Sequence, residues 1–442
     1  MSEKPYTKAL PYLFICLACL SVYFSVVGLD FQRGWDDGWM VMNHYTVFGF
    51  TPDNLKAVFT EFYVGQYGPL NELVYMAIYA TFGYNAAVYH LYPLLLHIIN
   101  SCLVLLLIRR LIGERMDKTT AQRTAFVAAL LFAVHPIQVE TIAWISASKI
   151  PLYTFFALLS MLAYIRHVRT GKVRYYIGAF LLFVCAFGSK EQSVVLPAVL
   201  LLLDWALGRT PLACEEKSSE NSVKSWGYLL LEKMPFIFFA LFAGLCTFAN
   251  QSAFAMERWA GYPLWQRLVF SCYALVEYFG KLVFPVNLLY LYPFPMAPGK
   301  VLPVRFLIYP VIVVLVVGIL IRVLKRKDWP VIFGLIFFFI NTVLMLHIIP
   351  MSRFAVVADR YVYLASVGLF FIAAWYAVPW LQKMATSGKK WVVAVAACWL
   401  LYLGGYAHFR TYTWKNSDTL KKELRELIHT NGILKQQDFQ EQ

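Results

Sequence analysis

Long apolar runs separated by short polar segments fill the chain from Leu10 to His408. Most approach the ~20 residues that cover the hydrocarbon of a bilayer, and none alternates apolar with polar as a barrel strand would. The pattern predicts an all-α polytopic membrane protein, a bundle of about 11 transmembrane helices. The runs are Leu10–Leu29, Ala86–Leu111, Thr124–Gln138, Pro151–Tyr164, a pair out to Ser189 and back toward Gly208, Tyr228–Phe248, Val304–Leu324, Val331–Ile349, Tyr361–Leu381 and Trp391–His408. Two half-apolar pieces, Asn54–Tyr63 and Leu70–Phe82, suit helices lying in the interface within a first loop of about residues 30–85. Leu264–Phe284 is different. A crossing there would carry Arg322, Lys325, Arg326 and Lys327 to the wrong side, so it is predicted to be re-entrant or interface-lying. Its Glu277 and Lys281 stand four apart on one helix face.

Composition sharpens this. Hydrophobic residues make up 60% of the chain and charged residues only 14%, against roughly 25% charged in soluble domains. The net charge of +14 comes from short basic clusters between apolar runs, the pattern of cytoplasmic loops rather than of a nucleic-acid surface. Lys4 and Lys8 precede the first run, which places the N-terminus inside and the following loop outside. That run lacks a small-residue cleavage site and is expected to stay as a helix. The eight cysteines show no paired spacing, so neither a disulfide framework nor a zinc site is expected.

Candidate chemistry begins just past the first run, where Asp36 and Asp37 stand side by side between Trp35 and Trp39. Adjacent acids at a membrane mouth repel each other and seek a cation or a hydroxyl donor. A solvated turn is the plain alternative. With the predicted sidedness, His97, His135, Glu140, Lys149, Lys190, Glu191, Arg353 and Arg360 collect on the same face as the pair. Lysines and arginines can hold a phosphate while a carboxylate takes a proton, which is what sugar transfer from a lipid phosphate requires. Against this, Lys149 and Lys190 could be snorkelling residues, and a histidine such as His97 is more often a hydrogen-bonded core residue. The acids could also hold Mg²⁺ or Mn²⁺, but too few oxygen ligands are in sight, and no metal or other cofactor is expected.

The order of motifs resembles the GT-C fold of polyprenyl-phosphate-sugar glycosyltransferases, and within it the membrane part of the transmembrane and tetratricopeptide-repeat-containing O-mannosyltransferases. The residues that carry the likeness are Trp35-Asp36-Asp37, Tyr67-Gly68-Pro69-Leu70, His97 to Asn100, Phe132 to Trp144, Ser189 to Gln192, Pro285 to Leu288, Asp359 to Leu364 and Trp414 to Leu420. The resemblance implies an inverting transfer of mannose from a polyprenyl-phosphate donor to a protein serine or threonine, outside the cytoplasm. It implies Asp36 as general base, with Asp37 its neighbour. Charge alone suggests Lys190 and Arg360 for the donor phosphate. Two departures stand out: the repeats that follow the Trp414 motif in the family are missing here, and the family's Gly-Arg is Ser148-Lys149. A repeat-free chain suits a bacterial homologue in the inner membrane with its site facing the periplasm, or in a eukaryote the ER membrane with a lumenal site, with residues 1–410 as the transferase domain and 411–442 as a short external tail. The competing readings are a transferase with a lipid or cell-surface glycan acceptor, and an ion-coupled transporter.

Overall fold

The computed structural model describes residues 5–42, 49–210, 224–259, 262–348 and 355–431. Helix α1 (Pro5–Tyr23) runs into a 3-10 turn (Phe24–Gly28). There follow α2 (Pro52–Thr60), α3 (Pro69–Phe82), α4 (Ala86–Ile112), α5 (Lys118–Val134), α6 (Val139–Ala143), α7 (Lys149–Thr170), α8 (Val173–Ser189) and α9 (Leu196–Ala206). The remainder is α10 (Trp226–Trp259), α11 (Leu264–Val283), α12 (Ile308–Lys325), α13 (Trp329–Thr342), α14 (Ser366–Lys383), α15 (Thr386–Thr411) and α16 (Ser417–Asn431). The fold is all-α apart from one ribbon, β1 (Tyr292–Pro293) antiparallel to β2 (Ala355–Val357).

Among the described residues, six helical stretches are long and apolar enough to cross a membrane: Ala9–Gly28, Ala86–Ile112, Ile145–Thr170, Trp226–Asn250, Val304–Val323 and Thr386–Trp414. The broken pair α5 and Pro136–Ala143 makes a seventh. Of the other expected crossings, α8 and α13 with its terminal turn are apolar but short, and α9 has only 11 residues. Burial separates centre from rim. Of the apolar α7 span 72% is buried inside the protein, whereas of the α12 span only 6% is, so α12 offers its side chains to lipid.

Three local features place the site. The expected helix Thr124–Gln138 instead stops at Val134, and the chain bends by 53° into Pro136–Ala143. Pro136 has no N–H to continue the ladder and pushes His135 into extended backbone (φ −70°, ψ 131°). The expected Tyr361–Leu381 helix starts only at Ser366, because Asp359–Val362 forms a 3-10 turn. Leu264–Phe284 is one continuous helix, α11, and Glu277 pairs with Lys281 at 3.3 Å. The proline-rich stretch after α11 supplies β1, whose pairing Tyr292↔Val357 draws it against the Asp359-Arg360 turn. Behind these, α13 and α14 cross backbone to backbone at Gly334 and Gly368, where a Cβ on either would stand within 2.5 Å of the other's carbonyl oxygen.

Candidate active site

The acidic loop is built to treat its two aspartates differently. Trp35 N–H donates to the Gln32 carbonyl at 3.0 Å and Gly38 N–H to Trp35 at 3.0 Å, a tight turn that requires glycine at 38 because a Cβ there would meet the Arg33 carbonyl oxygen at 2.4 Å. Asp37 points inward and is fully buried. Its carboxylate accepts from Gln32 N–H at 2.8 Å, from Ser146 N–H at 2.9 Å and from the Ser146 hydroxyl. Burial pushes Asp37 up to about 6, against the pull of those three bonds. This acid anchors the loop to the turn after α6.

Asp36 points the other way. It is half-buried, and its one described hydrogen bond comes from Trp39 Nε1 at 3.3 Å. Burial raises its pKa above the ordinary carboxylate range, while Lys149 and Arg360 pull it down. Lys149, at the start of α7, lies in the electrostatic field of Lys190, Glu191, Asp36 and Arg360. Its ammonium donates to Gln66 and approaches the Met40 sulfur at 3.8 Å. A cleft beside it is lined by Trp39, Tyr63, Gln66, Asn71, Glu72 and Glu191, among others.

Arg360 closes the cluster from the 3-10 turn before α14. Its backbone N–H donates to Glu140 at 2.8 Å, its guanidinium pairs with the same carboxylate, and it lies 5.1 Å from the centre of the Trp144 ring. Burial alone would lower its pKa; Glu140, with Tyr361 and Asp36, outweighs that and holds it above the usual value. Behind it, Asp359 accepts from the Tyr292 hydroxyl at 2.9 Å, and burial with the Glu140 charge pushes it up to about 7.

The structure thus brings together Asp36, Lys149, Lys190, Glu191, Glu140 and Arg360. Lys190 pairs with Glu191 at 3.6 Å, and Glu140 serves Arg360 as its counter-ion. Two candidates lie elsewhere. The His97 ring is buried in the core, bonded to the Tyr363 hydroxyl at 2.8 Å and the Ala133 carbonyl at 3.1 Å and stacked on Phe132, because its helix face packs on α5. His135 caps the turn it breaks, with Nδ1 accepting from Ile137 N–H at 3.2 Å. Arg353 lies outside the described residues. Gln32, Gln66, Ser146 and Trp144 are given no site role by the sequence. Trp144 closes the Phe132 to Trp144 motif and Ser146 follows it, so that stretch is the signal for both, whereas nothing around Gln66 points to it. Among the described residues no three His, Cys, Asp or Glu side chains group as metal ligands.

The family model of dolichyl-phosphate-mannose-protein mannosyltransferase matches residues 67–219, which include Gln138 to Lys149 and Lys190-Glu191. The protein O-mannosyl-transferase TMTC2 of Mus musculus is 32% identical over 144 residues, 31% of this chain. Over that stretch the chain is similar to a protein O-mannosyl-transferase. Another, Tmtc3 of Drosophila melanogaster, is 27% identical over 237 residues, 46% of this chain. The matched stretches span 16% of the mouse protein and 25% of the fly protein. These relatives bear out the resemblance read from the motifs. The crystal structure of the Archaeoglobus fulgidus oligosaccharyltransferase in the apo form matches 92% of this chain and 56% of its own, at 14% identity and a TM-score of 0.47.

Proposed function

We propose that this protein transfers a sugar, mannose, from a polyprenyl-phosphate carrier to a serine or threonine hydroxyl of a protein on the extracytoplasmic side of a membrane. The observation that carries the reading is Asp36, a half-buried carboxylate with raised proton affinity, set in the field of the cations Lys149 and Arg360. A base needs a pKa raised toward the working pH, and a leaving phosphate needs fixed positive charge in a site poor in water. In one displacement Asp36 takes the acceptor proton, the acceptor oxygen bonds to the anomeric carbon, and the bond from that carbon to the phosphate oxygen breaks. Lys149, Lys190 and Arg360 neutralise the phosphate that departs, and a single displacement inverts the anomeric centre.

Purified protein given labelled polyprenyl-phosphate-mannose and an acceptor peptide should move label into the peptide. Asp36→Asn should lower kcat by about 10²–10⁴-fold with donor KM little changed; near wild-type turnover by that variant would remove the mechanism. Label appearing in extractable lipid instead would move the acceptor from protein to lipid. The reading uses no metal ion, since cationic side chains are available to neutralise the phosphate. Activity should therefore survive chelator, and loss restored by one divalent ion would overturn this part.

A further inference from the structure

The loop that carries Asp36 is held on its second side by the segment after α15. Asp30 N–H donates to the Lys415 carbonyl at 2.9 Å, the Gln32 side-chain amide to the Trp414 carbonyl at 2.7 Å, and Gly34 N–H to the Ser417 hydroxyl at 3.1 Å. Every second residue of the loop is therefore tied to a stretch of four. Gln32 is fully buried and does three things: its side chain grips Trp414, its backbone N–H grips Asp37, and its carbonyl closes the turn onto Trp35. Its side-chain oxygen has no partner, so the amide N–H₂ is the end in use. Trp414 is itself pinned, stacking on Trp144 at 5.3 Å and 19°, and Trp144 is the ring beside the Arg360 guanidinium. Beyond it, α16 is fastened by buried Leu420 and by Arg410 donating to Glu423 at 2.8 Å.

We infer that Trp414–Ser417 is a strap that positions the base, with Gln32 and Ser417 as positioning residues, so that the seating of α16 sets where Asp36 stands. Misplacing a reacting group by about 1 Å costs on the order of 10²-fold in rate, and the acid loop has this strap on one side and the Ser146 turn on the other. The catalytic part of this inference rests on the transferase reading; the mechanical part does not.

The test compares full-length wild type, Gln32→Met/Ser417→Ala and Ser417→Thr by hydrogen exchange and by sugar-transfer kinetics. In the double variant the amides of Asp30 and Gly34 should exchange at least about tenfold faster, that of Ser146 should not change, kcat should fall at least about tenfold and donor KM should stay within about twofold. Ser417→Thr keeps the hydroxyl and should behave as wild type in both measurements. Unchanged exchange at Asp30 and Gly34 overturns the strap. Faster exchange with unchanged kcat overturns its positioning role. If the wild type transfers no sugar the transferase reading fails, and the exchange data alone decide whether the strap holds the loop.

Discussion

Removing Glu140 should damage the protein more than removing any other carboxylate of the cluster, for a reason visible in its contacts. Its side chain is 3% exposed and accepts both the Arg360 backbone N–H and the guanidinium, whose own side chain is 20% exposed. Glu140→Ala leaves a half-buried guanidinium without its counter-ion, and breaking such a pair from one side costs up to about 3–5 kcal/mol, because the charge left behind stays largely desolvated. Replacing both partners by apolar groups removes that penalty, so Glu140→Ala/Arg360→Leu should recover at least half of the loss. A double-mutant cycle completed with Arg360→Leu, read by reversible unfolding in mixed micelles, measures the coupling. On the proposed mechanism transfer should stay lost in the double variant, since restoring the fold does not restore the Arg360 cation. A Glu140→Ala protein within about 0.5 kcal/mol of the parent, or a cycle whose arms simply add, would refute the reasoning.

Two further outcomes follow from the same cluster. Asp37 titrates near 6 when folded, above the ordinary unfolded value of about 3.9. Its stabilisation is therefore fully present below about pH 4 and lost as the pH rises through 6, a change on the order of 3 kcal/mol. Asp37→Asn should flatten the pH dependence of stability in that window, and an unaltered slope would contradict the burial of this acid. On the proposed mechanism Lys149→Ala should raise donor KM by about tenfold or more, from a charged hydrogen bond worth about 1.5–3 kcal/mol; a change in acceptor KM alone would assign Lys149 elsewhere.

Most of the helices were legible because apolar length is a property of single segments. Leu70–Phe82 was read within one residue of α3, and Ala86–Leu111 within one residue of α4. The amphipathic nature of Leu264–Phe284 was also open to reading, since Glu277 and Lys281 share a face wherever the helix lies. Less legible were the ends that matter for chemistry. The stop at Val134 was signalled by His135-Pro136, but the 3-10 turn at Asp359–Val362 was not, because its conformation is imposed by β1 and by Glu140 from distant parts of the chain.

Sequence by itself determined the class of molecule and the pair of adjacent acids, since each depends on residues near one another along the chain. Only the tertiary structure decided which acid is which. Asp36 and Asp37 are chemically identical neighbours, and the difference between them is Ser146, 109 residues away from Asp37, which takes one carboxylate and leaves the other facing Lys149 and Arg360. The same holds for His97, whose partner Tyr363 is 266 residues distant. A side chain's role is set by what surrounds it, and packing chooses those surroundings from anywhere in the chain.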